Sequence, residues 1–157
     1  MTAIAPTEPC LPVALPHTGF PSQPWVGLNA RFSGRLLRSS VAVISADGDI
    51  DASNADALIE YTLGHMTGYR GLVLDLRGLD FFGAEGFSAL LRISVNCARV
   101  GTGWAVVPGT AASRTLRICD PQDSLPLAGT VEAALRTLTD QLHRPSRLIA
   151  VGTNGDG

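Results

Sequence analysis

Residues 71–100, which read GLVLDLRGLDFFGAEGFSALLRISVNCARV, decide the fold of this chain. The apolar run 71–76 predicts a strand that is buried on both faces of a mostly parallel sheet. From Ala84 the spacing of apolar and small residues changes to three and four, which is typical of one face of a helix. The residues predicted on that face are Phe87, Leu90, Leu91, Ser94 and Ala98. Gly78 and Gly83 supply backbone freedom in the loop predicted between strand and helix.

The junction of this strand and helix, residues 80–88, is called the elbow below. A hydrolase nucleophile elbow requires Gly-x-Ser-x-Gly, but residues 86–90 read GFSAL. A phosphate-binding loop requires a Gly-Lys pair, whereas all 12 basic residues of the chain are arginine. Asp75, Asp80 and Glu85 are the only candidates for an acid–base pair. The elbow is therefore interpreted as a surface for presentation to a partner, and the protein is expected not to be an enzyme.

The composition limits the classes of function. A chain of 157 residues with a net charge of −2 predicts one domain and argues against a nucleic-acid or anionic-membrane surface. Cys10, Cys97 and Cys119 show no metal-binding spacing and leave one thiol unpaired in any disulfide scheme. Cys97 is interpreted as a core thiol, and a reducing, cytoplasmic setting is the simplest one. No membrane helix, metal or cofactor is predicted.

The chain divides into three predicted parts. Residues 1–24 hold six of the ten prolines and predict a mobile leader, because proline neither propagates a helix nor pairs in the centre of a sheet. Residues 25–144 form the predicted domain, and residues 145–157 read as a tail. If phosphorylation controls the protein, the threonines and the serine of the leader are the expected acceptors.

Within the domain, the pattern predicts the order β-β-α-β-α-β-α-(β)-α. This order indicates an α/β fold with a mixed, mostly parallel sheet of four or five strands and helices packed on it. The first strand is expected to turn Leu28 inward and to carry a bulge at Gly34. Ser53 and Asp56 have the spacing of a capping box for the first helix, and Thr130 is a plausible N-cap for the last one. Residues 125–127 are at best a short edge strand.

Two motifs resemble those of the STAS domain, in particular the anti-sigma factor antagonists. Asp75-Leu76, Gly78-Leu79 and Phe82-x-x-x-Gly86 precede an apolar helix, and the upstream sequence GDID at 48–51 is similar to the Gly-Glu-Leu/Ile-Asp turn of that family. The resemblance spans residues 28–142. It implies a regulatory protein in a partner-switching pathway, whose partner is an anti-sigma factor, a histidine-kinase-like ATPase.

The resemblance also implies a site. In the family, a loop of the form Asp-Ser-Ser/Thr-Gly opens the central helix, and the residue before the glycine is phosphorylated by the partner kinase. Here Gly83 stands for the Asp, Ala84 for the first Ser, Glu85 for the phospho-acceptor and Gly86 for the Gly. The implied partner-binding loop consists of Asp80, Gly83, Ala84, Glu85, Gly86 and Ser88, together with Asp49 and Asp51 of the upstream turn.

Two interpretations of Glu85 stay open. It is either a carboxylate that the dipole of the helix favours at its first turn, or in addition a permanent negative charge where relatives carry a switchable one. The alternative function is a STAS module that senses a small ligand or a nucleotide, or a scaffold in a signalling assembly. The lack of a phosphate-binding lysine and of a clear basic pocket in the sequence argues against a nucleotide.

Overall fold

The computed structural model describes residues 23–37, 40–65 and 68–142. The predicted leader, apart from Gln23 and Pro24, lies outside these residues, as does the predicted tail. The strands are β1 (Trp25–Val26), β2 (Ala30–Leu37), β3 (Val41–Ile50), β4 (Gly71–Phe82) and β5 (Gly103–Val107). The helices are α1 (Ala55–Gly64), α2 (Ala84–Val100), α3 (Gly109–Cys119) and α4 (Val131–Leu142).

The five strands form one mixed sheet in the order β1-β2-β3-β4-β5. The first three strands pair antiparallel, and β3, β4 and β5 pair parallel. Side chains from α1, α2 and α3 pack with Ile44, Leu72 and Leu74 in one core cluster, whereas α4 packs with Val43 and Val73 in another. Because neighbouring residues of a strand point to opposite faces, three helices cover one face of the sheet and α4 covers the other. The predicted α/β fold is confirmed.

Strand β4 extends further than the sequence predicts. It runs to Phe82 instead of ending at residue 76, because its second half pairs with β3 through Leu79 opposite Gly48 and Phe82 opposite Ile50. Leu79 and Phe82 are buried while Asp80 is exposed, as in a strand with one solvated face. The prediction that Asp80 lies in a loop is therefore wrong.

The buried face of α2 also differs from the predicted one. Gly86, Ala89, Leu90, Ile93 and Cys97 are the residues that it buries. Of the predicted face only Leu90 is buried, and Leu91 is 41% exposed. At the start of the helix the reason is steric, because a Cβ atom at Gly86 would lie only 2.5 Å from the ring of Phe82, so this turn of the helix can face the sheet only through a glycine. Further along, the buried face is completed by the apolar side chains of Leu90 and Ile93.

In the first hairpin, two local predictions are wrong. Leu28 precedes β2 and is exposed, while Gly34 is regularly paired with Ile44. The irregularities of the sheet lie instead between β3 and β4, at two shifts of register between residues 45 and 49.

At the helix ends, the results are mixed. Asn54, not Ser53, is the N-cap residue of α1. The predicted cap of α4 is confirmed, because the hydroxyl of Thr130 accepts the N–H of Ala133 at 3.0 Å. The predicted edge strand is reduced to a single bridge between Leu127 and Val106.

The Cys97 thiol is buried in the core, as predicted, and burial raises its pKa to about 11. At pH 8 only about one thiol in a thousand is then ionised, and the thiolate is the reactive form. We expect Cys97 in a Cys10→Ser/Cys119→Ser variant to react with a thiol reagent at least ~100-fold more slowly when folded than in denaturant. A Cys10→Ser/Cys97→Ser variant, which retains the partly exposed Cys119, is the control. Equal rates for the two folded variants would show that the core around Cys97 opens readily.

Candidate partner-binding site

The elbow and the upstream turn leave the sheet side by side. Ile50 and Phe82 are partners at the ends of the parallel strands β3 and β4, so the residues that follow them emerge at the same edge. The N–H of Gly83 donates to the carbonyl oxygen of Ile50 at 3.0 Å and joins the two segments. The structure therefore brings the two predicted motifs together at the carboxyl edge of the sheet, which is where α/β proteins commonly bind their ligands.

The upstream turn is held by its own side chains. The carboxylate of Asp51 accepts hydrogen bonds from the N–H of Ser53 at 2.9 Å and from its hydroxyl at 2.6 Å. These two bonds hold the pKa of Asp51 below its ordinary value, the hydroxyl contributing most. The buried amide of Asn54 accepts the N–H of Asp51 at 3.0 Å and donates to the carbonyl oxygen of Asp49 at 2.8 Å. Asp51 thus shapes the turn, and Asn54 is a site-building residue that the sequence analysis missed although asparagine is a common N-cap.

Gly86 sets how closely α2 approaches the sheet. A Cβ atom at Gly86 would lie only 2.5 Å from the ring of Phe82, which is itself buried. The carbonyl oxygen of Gly83, the N-cap residue, accepts the N–H of Gly86 at 2.9 Å and starts the helix. The hydroxyl of Thr115 in α3 donates to the carbonyl oxygen of Phe82. The start of α2 is therefore fixed from below by β4 and from the side by α3.

Glu85 folds back over the start of its own helix. One of its carboxylate oxygens lies 2.9 Å from the position that a Cβ atom of Gly83 would occupy. The carboxylate would therefore have to swing away if position 83 held an aspartate, as in the resembling family. Because two carboxylates placed there would also repel each other, Gly83 and Glu85 form a compatible pair. Glu85 remains exposed and lies in the first turn, where the helix dipole favours a negative charge.

The exposed part of the elbow continues into a cleft between α1 and α2. Ala84 and Ser88 are both exposed beside Glu85. The cleft has a volume of about 190 Å³, and its charged walls are Asp56 on one side and Glu85 and Arg92 on the other. Arg92 was not singled out from the sequence, and Asp56 was noted only for its spacing from Ser53, because only the packing of α1 against α2 brings the two residues to one cleft. Asp80, the first residue of the elbow, lies on β4 and does not line this cleft.

Asp75 is remote from the elbow and has a structural role. It lies seven residues before Phe82 on β4, which is about 23 Å along a strand, so it forms no acid–base pair with Glu85. Its carboxylate accepts two hydrogen bonds from the guanidinium of Arg77, both at 2.9 Å. Burial opposes the charge of Asp75, but the hydrogen bonds and the charge of Arg77, with a smaller contribution from the charge of Arg35, hold its pKa below the ordinary value.

The pKa of Asp75 predicts a pH-dependent contribution to stability. Since the folded-state pKa is lowered, the contribution is present above the unfolded pKa of about 4 and is lost as the pH falls through the folded value. We expect Asp75→Asn to lower the free energy of unfolding by about 1–2 kcal/mol at pH 7 and by less at pH 3. Urea titrations at both pH values measure this, with Asp80→Asn on the exposed face of β4 as the matched control. Equal losses at both pH values would contradict the ion-pair explanation.

Two further properties of the described residues concern metal binding and membrane-spanning helices. Across residues 23–37, 40–65 and 68–142, no group of three or more His, Cys, Asp or Glu side chains is placed to hold a metal ion. Over those same ranges, no helix is both long and apolar enough to cross a bilayer.

Comparison with known proteins agrees with the fold. The family model of the STAS domain matches residues 37–134, which include the upstream turn and the elbow. Osmosensory protein A of Mycobacterium tuberculosis is 31% identical over 117 residues, which is 72% of this chain and 74% of that protein. The anti-sigma-F factor antagonist RsfA of the same species is 33% identical over 100 residues, covering 61% of this chain and 78% of RsfA.

Solved structures show the same architecture. An anti-sigma factor antagonist from Mycobacterium paratuberculosis superposes with a TM-score of 0.63 at 26% identity, covering 70% of this chain and 94% of that one. A Ser-to-Glu variant of RsbS from Moorella thermoacetica, at 20% identity, shares the fold with a TM-score of 0.58 and covers 69% and 95% of the two chains. With its five-stranded sheet, its helix-opening elbow and these matches, the chain belongs to the STAS domain family and is similar to the anti-sigma factor antagonists within it.

Proposed function

We propose that this protein is a non-catalytic antagonist that binds an anti-sigma factor of the histidine-kinase-like ATPase class in the cytoplasm. The observation that carries the proposal is the exposed elbow, where Ala84, Glu85 and Ser88 face solvent at the start of a rigidly held helix. A partner that contacts this surface meets a preformed backbone, which lowers the entropy cost of association. The similarity to RsfA and to the mycobacterial antagonist structure supports the same partner class.

We further propose that Glu85 acts as a fixed and partial substitute for a phosphorylated residue. Ala84 and Glu85 have no hydroxyl group, so the elbow offers no phospho-acceptor at the positions that correspond to those of the family. Ser88 is exposed but lies about one helical turn further along α2, and it is not expected to accept phosphate. The negative charge of the elbow is then constant, and any control by phosphorylation acts elsewhere on the chain.

A binding experiment with two matched variants tests the proposed surface. Ala84→Arg adds a long charged side chain at the elbow, while Ala98→Arg adds the same side chain at an exposed position 14 residues away on α2, about 21 Å along the helix. The unmodified protein, used as bait in its native cytoplasm, is expected to capture a histidine-kinase-like ATPase. Ala84→Arg should weaken binding to that protein at least tenfold, and Ala98→Arg should leave it unchanged. The proposal is wrong if no such ATPase is captured or if the two variants behave alike.

A further inference from the structure

A second cleft lies away from the elbow, between α3 and the loop that precedes α4. Its volume is about 510 Å³, which is within the range of small-molecule sites in proteins. It is lined by Pro108, Gly109, Thr110, Ser113, Arg114, Arg117, Ala128 and Gly129. These residues follow β5, so the cleft opens at the carboxyl edge of the parallel strands.

The charged groups of this second cleft are all positive. Arg114 and Arg117 are exposed, and no acidic residue is among those that line the cleft. Among the described residues, the structure shows an ion pair within 4 Å between Arg77 and Asp75 alone. Neither of the two cleft arginines is therefore neutralised by a described carboxylate. Arginines three residues apart lie on the same side of a helix and repel each other, and an anion between them would remove that repulsion.

The uncharged groups suit a phosphoryl ligand. Thr110 and Ser113 place hydroxyl groups along the same wall as the two guanidinium groups. Hydroxyl groups and guanidinium groups are both donors, and the guanidinium fork matches the geometry of phosphate oxygens. The lining holds no aromatic side chain, so the donors and the positive charge, rather than stacking on a ring, supply the recognition.

We propose that this second cleft binds a small molecule with two adjacent phosphoryl groups, one for each arginine. Arg114 and Arg117 are separated by one helical turn, or roughly 5–6 Å between their Cβ atoms, so their flexible side chains converge on neighbouring phosphoryl groups. A long polyanion such as a nucleic acid is disfavoured by the net charge of −2. The sequence analysis identified no clear basic pocket, because α3 and the loop before α4 lie side by side only in the folded chain.

The test is titration calorimetry of the full chain with pyrophosphate, inorganic phosphate and ADP at low ionic strength. Pyrophosphate is expected to bind more tightly than inorganic phosphate. Arg114→Gln and Arg117→Gln should each weaken pyrophosphate binding at least tenfold, which corresponds to about 1.4 kcal/mol. Arg70→Gln is the control, because it removes an exposed arginine just before β4, at the opposite edge of the sheet. Circular dichroism confirms that each variant is folded.

The remaining outcomes also decide. If ADP binds more tightly than pyrophosphate, a nucleotide is the source of the two phosphoryl groups. If ADP and pyrophosphate bind with equal affinity, the ligand is a free diphosphate. Both results support the site. Absence of saturable binding of all three probes overturns the proposal, as does an equal loss of affinity in Arg70→Gln. If Arg114→Gln instead weakens binding of the captured anti-sigma factor while none of the three probes binds, the cleft is a protein interface and the proposal is wrong.

Discussion

Replacing Gly48 by alanine is expected to lower the free energy of unfolding by about 3 kcal/mol or more. Gly48 has φ = +98°, a conformation that residues with a side chain rarely adopt. A Cβ atom there would lie 2.2 Å from the carbonyl oxygen of Asn29 and 3.1 Å from the Cα atom of Ala30. Both obstacles are backbone atoms, so relief requires movement of β2 relative to β3.

The magnitude follows from two costs. The left-handed conformation costs roughly 1–2 kcal/mol for an L-residue, and overpacking of a well-packed site typically costs about 1–3 kcal/mol. Gly64→Ala is the matched control, because Gly64 ends α1 and has no neighbour within 4 Å of an added Cβ atom. It should be neutral or stabilising by up to about 1 kcal/mol. Urea unfolding of both variants measures the difference, and similar stabilities would contradict the close approach of β2 to Gly48.

The same glycine shows what the sequence could and could not predict. The pattern GDID at 48–51 was interpreted as a turn. In the structure β3 continues to Ile50, and Gly48 lies within the strand where the register against β4 shifts. A left-handed glycine inside a strand depends on the approach of Asn29, which is distant in sequence, so local propensity does not reveal it.

The helix α2 gives a second example. Its existence and its start at Ala84 follow from the sequence, because the apolar period changes there. The face that it buries does not follow, since apolar residues stand on several sides of the helix, and Leu91 was predicted to be buried where Ala89 and Ile93 are. The sheet selects the side with Gly86 and Ala89 because Phe82 occupies the space beneath it. The neighbours of Glu85 across the cleft, including Asp56, likewise depend on packing between elements.

The second large effect concerns binding. We expect Glu85→Ser to bind the anti-sigma factor at least tenfold more tightly than the unmodified chain, and to become phosphorylatable at residue 85. In the resembling family the unphosphorylated loop binds the partner and the phosphorylated loop does not. A phosphoserine carries about −1.5 to −2 charges, whereas a glutamate carries −1. Glu85 should therefore weaken binding of the partner, but less than a phosphorylated residue would. Like charges across an interface cost several kcal/mol, and about 1.4 kcal/mol is tenfold in affinity.

A separate readout distinguishes the effect on binding from an effect on the fold. Glu85→Ser removes a carboxylate from the first turn of α2 and should lower the free energy of unfolding by at most about 1 kcal/mol. Tighter binding of the variant would show that the charge of Glu85 opposes the partner. A slightly lower free energy of unfolding would show that the same charge stabilises the start of α2. Glu85→Gln retains the length of the side chain and removes only the charge, so it isolates electrostatics from shape.

The most direct measurement is titration calorimetry of the unmodified chain, Glu85→Ser and Glu85→Gln against the captured anti-sigma factor. If the charge of Glu85 partly imitates a phosphorylated elbow, both variants bind more tightly than the unmodified chain, and Glu85→Ser gains at least tenfold. Weaker binding by both variants would contradict this, and would make Glu85 an attractive contact for a basic surface of the partner.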